Sequence, residues 1–171
     1  MLTTRDRART WGFHREEHMD SIATIGYEGA TVAAFLDALQ ANVVQLLVDV
    51  RAIASSRRPG FAKTALAANL ASVGIEYVHL RGLGTPADGR AAARAGKHGE
   101  MRRVYREHLA SPAAQQELDV LSELLRSGAR LCLMCFEADA DHCHRSLIAA
   151  ALAARGPLRV ENLSASDGTD E

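Results

Sequence analysis

Residues 43–50 read VVQLLVDV, and this run constrains the fold more than any other stretch of the chain. Six of its eight side chains are apolar, several are β-branched, and the segment is far shorter than the roughly 20 residues a membrane helix needs. A short apolar run without alternation fits a strand buried on both faces, and such strands belong to parallel sheets covered by helices on either side. A layered α/β domain is therefore predicted from this segment alone.

The surrounding periodicity supplies the other elements. Residues 22–25 are strand-like and stop at Gly26, and Val32, Phe35, Leu36 and Leu39 follow at helical spacing behind the capping residue Thr31. Leu66, Leu70 and Val73 mark a second helix ended by Gly74, and residues 75–80 form a third strand. The polar, Gly- and Ala-rich stretch 82–99 is expected to be a long loop of the kind that serves as a lid. Helices are predicted over 101–109 and from Ser111-Pro112 through Leu118, Leu121 and Leu125 to Gly128. Residues 130–135 give strand four. A last helix burying Leu147, Ile148, Ala151 and Leu152 ends at Gly156-Pro157 and leads to a short strand at 158–162. The order βαβαβααβαβ implies a single Rossmann-like three-layer domain with a mainly parallel sheet of about five strands. That domain is expected over residues 21–163, with a flexible N-terminal segment over 1–20 and a C-terminal tail over 164–171.

Composition narrows the class. A chain of 171 residues with 47% hydrophobic content can bury one proper core. No apolar run is long enough for a span, and the first twenty residues are too charged for a signal peptide, so a cytoplasmic protein with no membrane partner is expected. Cys132, Cys135 and Cys143 are an odd number crowded into twelve positions, which suits free thiols rather than a secreted disulfide framework. The net charge of −1 hides an asymmetry: residues 51–106 hold eleven basic side chains against three acidic ones, +8, and the remainder carries −9. Positive charge is thus concentrated where it can attract an anionic small molecule or nucleotide.

In open parallel sheets, function gathers in the loops after the strand carboxyl ends. Those positions hold Tyr27 and Glu28 after strand one, Asp49, Arg51, Ser56, Arg57 and Arg58 at and after strand two, and His79 and Arg81 after strand three. Glu137 and the run His142-Cys143-His144-Arg145 follow strand four. Asp49 lies inside an apolar strand, where an unpaired carboxylate would cost several kcal/mol, and Arg51, two positions on, shares its face. The pair either braces the sheet end or aims Arg51 at a phosphate or carboxylate. Cys143 is expected to open the last helix, where the helix dipole and its basic neighbours would lower the thiol pKa and make it a nucleophile; the alternative is a thiol packed beneath the loop. The catalytic candidates are therefore Cys143, Glu137 and His144. The substrate-binding candidates are Tyr27, Asp49, Arg51, Ser56, Arg57, Arg58, Arg81 and Arg145.

Cys135, His142, Cys143 and His144 carry the donor atoms zinc prefers, but their spacing is irregular. Cys132 and Cys135, three apart on a strand, face opposite sides and cannot clamp one ion. No metal is assigned, and a site made from Cys135, Cys143 and one histidine stays open. The chain has no phosphate loop of the G-x-G-x-x-G or G-x-x-x-x-G-K-[ST] kind, so no cofactor is assigned either.

The segments TIGYEG at 24–29, VDVR at 48–51, SSRRPGF at 55–61, GIEYVHLRGLG at 74–84, CFE at 135–137 and CHR at 143–145 together resemble the domain of unknown function 488. The resemblance runs over roughly residues 22–162. It implies the α/β fold and a shared site to which Asp49, Arg51, Ser56, Arg57, Phe61, Leu83, Gly84, Cys135, Glu137, Cys143, His144 and Arg145 are matched; it names no reaction. Thr85-Pro86 stands where the family often has a second glycine.

Three functions fit these residues. The first is an enzyme, a hydrolase or transferase, acting on a phosphate-bearing nucleotide or nucleic-acid-derived substrate. The second is a non-catalytic module that senses an anionic metabolite. The third is direct nucleic-acid binding through the basic segment, with Tyr77 and Tyr105 as stacking groups; the near-neutral total charge and few aromatics count against it.

Overall fold

The structure is a computed structural model that describes residues 19–165. The expected N-terminal segment up to residue 18 and the tail from residue 166 lie outside the described residues. Strands β1 (Asp20–Gly26), β2 (Leu46–Asp49), β3 (Glu76–His79), β4 (Leu131–Cys135) and β5 (Leu158–Leu163) form one all-parallel sheet in the order β3-β2-β4-β1-β5. Helices α1 (Val32–Ala41) and α2 (Lys63–Ser72) cover one face. The other face is covered by α3 (Ala87–Arg94), α4 (His98–Leu109), α5 (Pro112–Arg126) and α6 (Arg145–Ala153). The fold is thus a three-layer α/β domain.

The period of two along each strand divides the core. Ala23, Ile25, Leu47, Cys132 and Met134 point to the α1/α2 side, where Phe35, Leu39, Leu66 and Leu70 meet them. Ile22, Leu46, Val48, Leu131, Leu133 and Cys135 point the other way, onto Tyr105, Leu118, Leu121, Ile148 and Leu152. Cys132 and Cys135 accordingly lie on opposite faces. Each fully buried leucine contributes about 1.5–3 kcal/mol by leaving water. Thr31 caps α1 by accepting from the Ala34 amide, and Ser111 does the same for α5 at Ala114.

Four expectations are corrected. The strand expected over 43–50 is only Leu46–Asp49, because the chain reverses after α1 with Val43 in the left-handed region (φ 56°) and 73% exposed. The stretch 82–99 is not a loop: after a 3₁₀ turn at Arg81–Leu83 it folds into α3 and the start of α4. Alanine-rich sequence favours helix, and the charges sit correctly for the helix dipole, with Asp88 in the first turn of α3 and Arg94 in its last. Three helices, not two, therefore separate β3 from β4. Lastly, α6 begins at Arg145, so Cys143 precedes the helix instead of opening it. Among the described residues no helix is long and apolar enough to cross a membrane.

Candidate functional site

The topology opens a crevice at one place. The connections leaving β1 and β2 run toward the β3 edge over one face, and those leaving β3 and β4 run the opposite way over the other. β2 and β4 are neighbours, so their outgoing loops part to opposite sides, as at the switch points where open α/β sheets bind ligands. A pocket of about 300 Å³ lies there. Tyr27 comes to it from β1, Arg51 to Ile53 from β2, Cys135 to Glu137 from β4, and His142 to His144 from the segment before α6. Thr85, Arg90, Ala93, Arg94 and Met101 close it from the α3/α4 side.

Glycine at Gly26 lets the β1 and β4 ends touch. A Cβ at Gly26 would fall 1.8 Å from the Glu137 carbonyl oxygen, so only glycine admits the loop that carries Glu137. Gly84 plays the same part against the backbone of Ala52, at 2.2 Å.

Asp49 is fully buried and Arg51 nearly so. Arg51 donates from Nε to Asp49 Oδ1 at 2.9 Å and from Nη2 to Oδ2 at 2.7 Å, while Nη1 donates to Tyr27 Oη at 3.2 Å and to the Phe61 carbonyl at 2.9 Å. Four of its five N–H donors are spent inside the protein. The Tyr77 hydroxyl adds a 2.6 Å bond to Asp49 Oδ2. Burial alone would lower the Arg51 guanidinium, but the hydrogen bonds and charge of Asp49 outweigh it, and the pKa is raised.

Arg145 is fully buried too, in different company. It donates from Nη1 to Cys135 Sγ at 3.1 Å and to the Glu137 carbonyl at 2.5 Å, and from Nη2 to the Ala138 carbonyl at 3.4 Å. Its Nε has no partner, and among the described residues no carboxylate lies within ion-pair distance of it. Burial accordingly pushes this guanidinium down.

Cys135, Cys143 and His144 converge beside it, each donor atom within 4.8 Å of the others, and all three are buried. The two sulfurs are in direct contact, yet the Cα atoms stand 7.6 Å apart. The structure records the pair as a disulfide, with a Cα separation wider than the usual span of about 4.4–6.8 Å. His144 donates from Nε2 to the Val50 carbonyl at 2.7 Å, which fixes the tautomer and leaves the Nδ1 lone pair facing Cys143 Sγ at 3.6 Å. Burial pushes the imidazolium down to about 4, so the ring is neutral at pH 7. Glu137 Oε2 sits 3.3 Å from Cys135 Sγ on the pocket side. The set can hold a soft cation, exchange a proton with a thiol, or present a thiolate to a ligand.

Of the candidates read from sequence, the structure gathers Tyr27, Arg51, Glu137, Cys143 and His144 on the pocket wall, with Asp49 behind Arg51 and Arg145 behind Cys135. It does not bring the others there. Ser56 Oγ accepts from the Arg58 amide, the Arg58 side chain bonds the Ala30 carbonyl, and Arg57 is exposed. Arg81 lines a separate hollow with Lys63 and His79, on the far side of the 52–55 segment. Sequence reasoning missed Arg90 and Arg94, whose four-residue spacing within RAAAR was the available signal that both belong to one helix face.

Among known proteins, the family described as "Domain of unknown function DUF488" matches residues 31–152. Comparison with curated proteins finds no match, and neither does comparison with solved structures. The match covers most of the chain, including β2, β3, β4 and every residue of the sulfur and imidazole cluster, so this protein belongs to the family of the domain of unknown function DUF488.

Proposed function

We propose that the protein is an enzyme, a hydrolase or transferase, acting on a phosphate-bearing substrate of the nucleotide or nucleic-acid-derived class bound in this pocket. The observation that carries the reading is the convergence of a thiol and imidazole pair, a carboxylate and a basic rim on one crevice of about 300 Å³. Arg90 and Arg94, one turn apart on α3, supply the cations for phosphate oxygens, a task for which Arg51 has a single N–H to spare. Cys143 acts as nucleophile or polarising group, with neutral His144 taking its proton and Glu137 serving as acid or base toward the substrate. Phe136 is 43% exposed at the mouth and packs edge-on to Tyr27, which gives a planar base a surface to stack on. Reactive thiols of this kind suit a reducing compartment, hence the cytoplasm.

Thermal unfolding against nucleotides, sugar phosphates and short oligonucleotides, with product analysis, tests the reading. One phosphate compound should raise the midpoint, by about 2.7 kcal/mol of stabilisation at a hundred times its Kd. Arg94→Ala should weaken that response, and Cys143→Ser should abolish product. Stabilisation without product would make the pocket a metabolite sensor. A response to oligonucleotides alone, falling steeply with salt, would favour nucleic-acid binding. No response from any phosphate compound would overturn the proposal.

A further inference from the structure

We infer that Cys135, Cys143 and His144 bind one zinc ion, with the fourth coordination position open toward the pocket beside Glu137. Two sulfurs and one imidazole nitrogen, all buried and within 4.8 Å of one another, form a donor set that suits zinc better than hard cations such as magnesium or calcium. In a tetrahedral site with zinc–sulfur and zinc–nitrogen bonds of about 2.3 and 2.0–2.1 Å, the sulfur and nitrogen atoms stand about 3.6 Å apart. Cys143 Sγ and His144 Nδ1 are 3.6 Å apart. The two sulfurs lie closer together than such a site requires, and they have to part for the ion to enter.

The surroundings match a metal centre beyond the donor atoms. A zinc-binding imidazole needs its other nitrogen held by an acceptor, and His144 Nε2 donates to the Val50 carbonyl at 2.7 Å. Metal-bound thiolates keep excess charge that N–H donors relieve. Cys135 Sγ receives Arg145 Nη1 at 3.1 Å, and Cys143 Sγ receives the Arg145 amide at 3.5 Å. The chain also explains how the ligands meet: β4 ends on Cys135, a 3₁₀ turn at Ala140–His142 reverses the loop, and Cys143 and His144 return to the same point just before α6. Three protein ligands with an open fourth position are the pattern of catalytic zinc; purely structural sites are closed by four.

The structure joins the two sulfurs, so binding first requires a low-molecular-weight thiol to reduce that bond by two electrons, the reductant leaving as its own disulfide. The two thiols give up their protons to solvent, zinc forms one bond to each sulfur and one to His144 Nδ1, and the charge of the ion is cancelled by the two thiolates. The inference rests on the proposed enzyme reading only for what the ion would do there: with Cys143 and His144 as its ligands, the ion takes the polarising role and neither residue serves as nucleophile or base.

The test uses the full chain purified under reducing conditions without chelator. About one zinc per chain should be found by elemental analysis. Chelation should then expose two thiols to a chromogenic reagent that the zinc-bound protein withholds. Cobalt(II) added to the chelated protein should give a thiolate-to-cobalt charge-transfer band together with the intense visible bands of a tetrahedral site. Cys135→Ser and Cys143→Ser should each weaken zinc retention by more than the roughly 10–100-fold that loss of an outer partner costs, and Cys132→Ser should leave it unchanged. The cobalt spectrum of the unaltered chain carries the test even where a variant fails to fold. A chain that neither retains zinc nor develops a charge-transfer band with cobalt overturns the inference. Turnover of a phosphate compound by such a chain would leave the enzyme reading standing. Zinc held by a chain that no phosphate compound stabilises would support the inference and remove the enzyme reading.

Discussion

Two arginines are buried at the carboxyl end of the same sheet, and they are buried in opposite ways. Arg51 meets a carboxylate through two parallel hydrogen bonds and spends its remaining donors on Tyr27 and Phe61. Arg145 is more deeply buried, has no carboxylate in contact, leaves Nε unpartnered and faces a sulfur. The environment of Asp49 raises the Arg51 pKa, whereas burial lowers that of Arg145. A neutralised cation is finished structure, since nothing further has to arrive for its charge to be met. A buried cation without its anion is unfinished until a thiolate, or a metal thiolate, stands beside it. The chemistry of this protein is therefore to be sought on the Arg145 side of the crevice.

That contrast predicts unequal costs. Arg51→Met removes one half of a buried pair and leaves Asp49 an uncompensated buried charge, which should cost about 3–5 kcal/mol in urea unfolding. Arg145→Met removes a cation that has no carboxylate to orphan. What it leaves behind is the Cys135 sulfur, a weak acceptor, and the Glu137 and Ala138 carbonyls, the last on an exposed residue, so about 1–2 kcal/mol is expected. Measured in the chelated protein, where no ion contributes, the two losses should differ by at least about 1 kcal/mol. Equal losses would break the comparison and show that Arg145 already holds a full counter-charge.

The pairing on the Arg51 side was legible in the sequence, whereas on the Arg145 side the residues were legible and their arrangement was not, for a physical reason. A carboxylate inside VVQLLVDV has to find a cation, and Arg51 lies two residues on along the same face, so local periodicity was sufficient. The alternation of strands and helices along the chain, the helix faces and the caps at Thr31 and Ser111 follow from the same short-range rules. The start of β2 was misread because Val43 takes a left-handed conformation that β-branched residues seldom adopt, and apolar character says nothing about φ. The helix α3 was misread because glycines and charges at 82–99 hid the alanine-rich turn at its centre. Cys135 and Cys143 are eight residues apart, and only the 3₁₀ turn between them brings their sulfurs together. The burial of Arg145 depends on that same turn, which no periodicity announces.

The smallest test refines the Arg51 side from within. Asp49 accepts from the Arg51 amide, from Arg51 Nε and Nη2, and from the Tyr77 hydroxyl across the β2/β3 pairing. Tyr77→Phe removes the last of these and keeps the ring. A hydrogen bond to a charged group contributes about 1.5–3 kcal/mol, and here the carboxylate retains three other donors, so the loss should fall near the lower end, about 1.5 kcal/mol by urea unfolding. Tyr27→Phe is the matching control on the cation. It removes only an acceptor 3.2 Å from Arg51 Nη1 and should cost less than Tyr77→Phe. If Tyr77→Phe instead costs as much as Arg51→Met, the hydroxyl matters as much as the guanidinium in satisfying the buried Asp49 carboxylate. Arg51 would then be freer to meet a ligand than its hydrogen bonds indicate.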